Sequence, residues 1–127
     1  TDLPDEPMGG CAAVALERSG SLLVATVTGE LDASSAPLIG AQVTNSLLST
    51  DREVRLDVGG VGFCDSSGTK VMFQLERSLA DRRTRLVICN PSPAVRRVIG
   101  LVDPGQSLSV ESDSVGFLDP RPATAVD

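Results

Sequence analysis

The stretch Val54-Arg55-Leu56-Asp57-Val58, Gly59-Gly60-Val61-Gly62, Phe63-Cys64-Asp65-Ser66-Ser67-Gly68 and onward to Arg85-Leu86-Val87-Ile88-Cys89 reads as a strand, a crossover helix and a second strand. Val54 to Val58 alternates apolar and polar, as a strand does. Gly59 to Gly62 reads as a flexible bend. It lacks the Gly-Lys-Ser/Thr ending of a phosphate-binding P-loop. Asp65-Ser66-Ser67-Gly68 opens a helix with capping residues. Val71, Met72, Leu75 and Leu79 share one face of that helix, and Gln74, Glu76, Arg77 and Asp81 share the other. Arg82 and Arg83 place positive charge in its last turn, as the helix dipole favours. Arg85 to Cys89 is short and almost wholly apolar, so it belongs inside a sheet.

Outward from this unit the pattern repeats. Ala13 to Arg18 and Leu22 to Thr28 are strands separated by Ser19-Gly20, which makes them an antiparallel hairpin ended by Gly29. Gly29-Glu30-Leu31-Asp32 leads to a helix capped by Ser34 or Ser35, with Pro37 in its first turn and Ile39, Val43 and Leu47 along one stripe. Asn90-Pro91-Ser92-Pro93 breaks the chain before a third helix, Ala94 to about Leu101, and Leu108 to Val110 is a weak fifth strand. The order β-β-α-β-α-β-α-β predicts an α/β domain with a mixed, mainly parallel sheet of about five strands and three to four helices. Residues 1–11 read as a flexible lead, 12–118 as the domain and 119–127 as a frayed tail, with a short apolar cluster at Val115 to Leu118.

Composition narrows the chemistry. The 127 residues carry 11 Lys and Arg against 17 Asp and Glu, a net charge of −6, which disfavours a direct nucleic-acid partner. No apolar run reaches the roughly 18 residues that span a bilayer, and no signal-peptide pattern is present, so the expected setting is the cytoplasm with no membrane partner. The sequence contains no histidine, which removes His-based nucleophile systems and His-ligated metals. Cys11, Cys64 and Cys89 match neither a disulfide framework nor a zinc pattern. No metal or cofactor is expected.

Four places could carry function. The Ser66 and Ser67 hydroxyls stand at a helix mouth at the carboxyl end of a strand, where ligands gather in open α/β sheets and where backbone N–H groups favour a phosphate. The plainer reading makes Asp65 or Ser66 a cap and Gly68 a source of backbone room. Asp32 falls on the same sheet edge as Asp65 if their strands are neighbours; paired acids there could polarise a hydroxyl or hold a metal, and alone Asp32 reads as a turn residue. Cys64 and Cys89 read best as buried apolar thiols. The second reading is a redox pair, because neighbouring strand ends could satisfy the roughly 7 Å limit on Cα separation.

These blocks together resemble the anti-sigma factor antagonist family, the single-domain STAS proteins of bacteria. The resemblance is carried by Gly29-Glu30-Leu31-Asp32, Leu56-Asp57-Val58, Phe63-Cys64-Asp65-Ser66-Ser67-Gly68 and Ser92-Pro93-Ala94-Val95-Arg96-Arg97, in that order. It implies that Ser67, the hydroxyl residue before the motif glycine, is phosphorylated, with Asp32, Asp65, Ser66 and Gly68 supporting the site. It implies a non-enzyme that docks unphosphorylated on an anti-sigma factor serine kinase and frees the sigma factor. The kinase then phosphorylates it with ATP and magnesium, and a PP2C-type phosphatase resets it. Cys64, Thr69 and Lys70 stand where such a partner would dock, and Thr69 and Lys70 depart from the residues the family usually has there. The alternative is a STAS-type sensor that binds a nucleotide or another small ligand through the same loops. A hydrolase using Ser67 would need Lys70 or Asp32 as its base, a demanding activation.

Overall fold

The computed structural model describes residues 11–111. The flexible lead expected before Cys11, the apolar cluster at 115–118 and the expected tail lie outside the described residues. The order is β1 (Ala12–Ser19), β2 (Leu22–Leu31), α1 (Ala36–Ser46), β3 (Glu53–Cys64), α2 (Ser66–Asp81), β4 (Arg85–Cys89), α3 (Pro93–Val102) and β5 (Val110–Glu111). The strands lie in the order β1-β2-β3-β4-β5, with β1 and β2 antiparallel and every later pair parallel. Each parallel step is a strand–helix–strand crossover that returns the chain to the strand beside the one it left.

One face of the sheet carries the core. Leu23, Ala25 and Val27 of β2, Val54, Leu56 and Val58 of β3, and Leu86 and Ile88 of β4 are buried with Ile39 and Val43 of α1, Met72, Leu75 and Leu79 of α2 and Val95 of α3. Burying each large aliphatic side chain contributes about 1.5–3 kcal/mol relative to exposure. The alternate residues face the other side, where Arg55 lies between Glu53 (2.7 Å) and Glu111 (2.8 Å).

Three local expectations change. The stretch Gly59 to Gly62 is not a bend: β3 runs through it to Cys64, and Val61 is buried. The glycines serve close packing, since a Cβ on Gly59 would lie 2.2 Å from Asn90 Nδ2 and one on Gly60 2.8 Å from Thr28 Cγ2. Likewise β2 does not stop at Gly29 but continues to Leu31, with Gly29 at φ +100° beside an irregularity in the pairing with β3. Finally, α2 ends at Asp81. Arg82 is its C-cap and Arg83 turns away at φ +57°, so neither arginine lies in the last helical turn.

Candidate functional site

Because β2 and β3 are parallel and Leu31 pairs with Cys64, their next residues, Asp32 and Asp65, leave the sheet side by side. The Asp65 N–H donates to the Leu31 carbonyl at 3.1 Å, which ties the two exits together. Asp65 is the extended N-cap of α2, and its carboxylate accepts the Ser67 N–H at 2.8 Å. That bond satisfies one of the free donors of the helix mouth.

Gly68 lies where the first turn of α2 crosses these strand ends. A Cβ there would sit 2.6 Å from Cys64 Sγ and 3.1 Å from Leu31 Cβ. The absent side chain is what lets the helix start this close to the sheet.

Asp32 organises the neighbouring loop. Its Oδ1 accepts the N–H groups of Ser34 (2.9 Å) and Ser35 (3.0 Å). The Ser35 hydroxyl donates to the Glu30 carbonyl and to Asp32 Oδ1. These donors, the Ser35 N–H foremost, hold the Asp32 carboxyl below its ordinary pKa. Ser35 is the N-cap of α1 by position, yet its side chain makes no capping bond. Asp32 instead closes the turn that precedes the helix through the Ser34 and Ser35 N–H groups, so the structure gives Asp32 the turn-forming role.

Three hydroxyls follow Asp65 in sequence and the fold separates them. Thr69 is buried, and its Oγ1 donates to the Ser66 carbonyl at 2.9 Å. Ser66 is exposed and Ser67 half-buried. Neither the Ser66 nor the Ser67 hydroxyl has a hydrogen-bond partner among the described residues. Both stand in the first turn of a 16-residue helix, at the positive end of its dipole.

Of the residues expected on a docking face, only Lys70 is exposed. Cys64 and Thr69 are buried at 6% and 2% exposure, so neither side chain meets a partner from within this packing. Thr69 faces inward because it precedes Met72 by one helical step of three, a relation legible in the spacing. The redox pair is also overturned. Cys89 pairs with Asp57, whereas Cys64 is the last residue of β3, seven residues on. At about 3.3 Å per residue, less the bulges, that separation is on the order of 15–20 Å, well beyond disulfide reach. Both thiols are free and buried, and burial pushes each pKa up to about 11.

A groove that the sequence reading missed begins at Ser66 and runs along α2 to α3. It is lined by Ser66, Lys70, Phe73, Gln74, Arg77 and Val102. The signal was present in the three- and four-residue spacing of Lys70, Phe73, Gln74 and Arg77 along the flank of α2.

A family model for the STAS domain matches residues 13–112. BtrV of Bordetella bronchiseptica, named as an anti-sigma factor antagonist, is 25% identical over 83 residues, covering 65% of this chain and 72% of BtrV. An anti-sigma factor antagonist from Mycobacterium paratuberculosis superposes with a TM-score of 0.74 at 20% identity, over 86% of this chain and 92% of that one. The anti-sigma factor antagonist SpoIIAA in its unphosphorylated form gives 0.68 at 23% identity, over 87% and 100%. SpoIIAA of Bacillus in its phosphorylated form gives 0.63 at 23% identity, over 86% and 100%. The five-stranded mixed sheet with three helices is that fold, and the chain belongs to the STAS domain family.

Proposed function

We propose that this chain is an anti-sigma factor antagonist, a cytoplasmic binding module whose docking face is switched by phosphorylation of Ser67. Unphosphorylated, it binds an anti-sigma factor that is also a serine kinase, and the sigma factor is released. In the reverse step the Ser67 oxygen attacks the γ-phosphorus of the kinase's ATP. The bond to the ADP oxygen breaks, and the hydroxyl proton passes to a base on the kinase. A PP2C-type phosphatase hydrolyses the phosphoserine. The domain is substrate and ligand in this cycle, not catalyst.

The observation that carries the reading is the Ser67 hydroxyl: half-buried at a helix mouth, fixed through its own N–H by Asp65, and free of any hydrogen-bond partner among the described residues. A phosphate there adds about −1.5 to −2 charges at neutral pH. It would stand beside the Asp65 carboxylate, one residue from the Ser66 end of the groove. Bringing a partner onto a hydrated dianion demands its desolvation, and a thousandfold loss of affinity requires only about 4 kcal/mol. The backbone need not move for the switch to work.

The test is intact-mass measurement after incubation with the cognate kinase, ATP and magnesium. Wild type and Ser66→Ala gain one phosphate, and Ser67→Ala gains none while still binding the unloaded kinase. Labelling of Ser67→Ala as strong as that of wild type overturns the assignment. Tight binding of ATP or GTP by the isolated domain would instead favour a small-ligand sensor.

A further inference from the structure

The free long edge of the sheet belongs to β1. The Glu30 N–H donates to the Cys11 carbonyl at 2.9 Å in the register that pairs Ala12 with Gly29. In an antiparallel ladder the bonded residues alternate. The odd residues of β1 therefore turn their N–H and C=O groups toward β2. Ala12, Val14, Leu16 and Arg18 turn theirs outward, along an edge that no other strand covers among the described residues. The opposite edge is β5, only two residues long and blunted by that shortness.

Proline, lysine and bulge guards are missing from β1, whose one acid is Glu17. Ala12 to Ser19 contains neither proline nor lysine, and its pairing with β2 is unbroken by a bulge. Its one cation, Arg18, is drawn away from the edge by Asp51, whose two carboxylate oxygens accept at 3.0 and 2.9 Å, and by the Ser46 carbonyl at 2.8 Å. Two exposed apolar side chains flank the strand on the α1 side. Leu16 is 38% exposed, and Leu38, on the groove that also takes in Cys11 and Ala12, is 66% exposed.

We infer that β1 pairs antiparallel with β1 of a second copy of this chain about a two-fold axis at Ala15, joining two sheets into one. The register follows from the strand. Centring on Ala15 sets Val14 opposite Leu16 and Ala12 opposite Arg18, so all four outward-facing residues form bonded pairs with both backbone groups used. On the open face Ala15 meets Ala15 of the second copy and Glu17 meets Ala13. No like charges face each other, whereas a register centred on Glu17 would oppose two carboxylates. The axis lies two strands away from β3, so the Asp65–Gly68 loop stays accessible in both copies, and the inference stands whether or not Ser67 is phosphorylated.

Ala15 is exposed, so a charge there leaves the monomer's packing intact while placing two like-charged side chains on Cα atoms about 4.5 Å apart across the axis. Sedimentation of the full chain over a range of concentrations is expected to show a dimer for wild type. Ala15→Glu and Ala15→Lys, each shown to be folded by circular dichroism, are expected to be monomers at the same concentrations. An equimolar mixture of the two is expected to restore the dimer through opposite charges. Wild type that remains monomeric throughout, a dimer indifferent to both charges, or a mixture that stays monomeric overturns the proposal.

Discussion

Leu31 and Asp65 share one hydrogen bond, the Asp65 N–H donating to the Leu31 carbonyl at 3.1 Å, and through it the exit of β2 and the start of α2 become a single edge. The loop that orients Ser67 is thus held by the sheet and not by the helix alone. Asp32 and Ser35 hold the adjoining turn in the same way.

The crossing at Gly68 makes this edge sensitive to a single methyl group. Gly68→Ala would press a Cβ to 2.6 Å from Cys64 Sγ and 3.1 Å from Leu31 Cβ. The helix start must shift, at a cost of about 1–3 kcal/mol from overpacking. Thermal denaturation is expected to show a lower midpoint, accompanied by a weaker yield of phosphorylated Ser67.

Removing the cap of α2 tests the other support. Asp65→Ala deletes the acceptor of the Ser67 N–H, and loss of an N-cap costs about 1 kcal/mol. Urea denaturation is expected to show an earlier midpoint, with Asp65→Asn intermediate because its amide oxygen still accepts.

The buried Asp51 predicts an acid-labile limb. Its carboxylate accepts from Arg18 and from the Leu48 N–H at 2.8 Å, and the Arg18 guanidinium, as the largest influence, holds its pKa below the ordinary carboxylate value. A lowered folded-state pKa means that the stabilisation is complete above about pH 4 and is lost as pH falls through the folded value. At neutral pH Asp51→Asn is expected to lose about 1.5–3 kcal/mol, the usual worth of hydrogen bonds to a charged group. The gap from wild type narrows on acidification below pH 4, as chemical denaturation across pH would show.

The three cysteines should separate by reactivity. Cys11 is exposed, while burial pushes the Cys64 and Cys89 thiols up to about 11. Brief alkylation of the native protein near pH 8, followed by mass analysis, is expected to add one label, at Cys11. The other two labels appear only after unfolding, and mild oxidants produce no link between Cys64 and Cys89.

Much of this molecule is local and was therefore readable in one dimension. The Asp65 cap, the Met72-Leu75-Leu79 stripe, the apolar β4 and the Ser92 cap of α3, whose hydroxyl accepts the Val95 N–H, depend on neighbours within a helical turn or along one strand. Alternation of strand and helix indicated a mainly parallel sheet for the same reason, since a strand–helix–strand crossover joins parallel strands, while the neighbour order came from the pairing itself. What the sequence could not supply were contacts made across the fold. Gly59 and Gly60 read as a bend because nothing nearby reveals Asn90, just past β4, and Thr28 of β2 pressing on them. Cys64 and Cys89 read as neighbours because strand ends were counted without the register, which sets β3 seven residues longer past Asp57. How deeply each of the three hydroxyls at the start of α2 is buried was likewise a tertiary decision, although the step from Thr69 to Met72 already marked the inward face. Packing against the sheet buries Thr69, half-buries Ser67 and leaves Ser66 exposed, because a helix can turn only one face to the core.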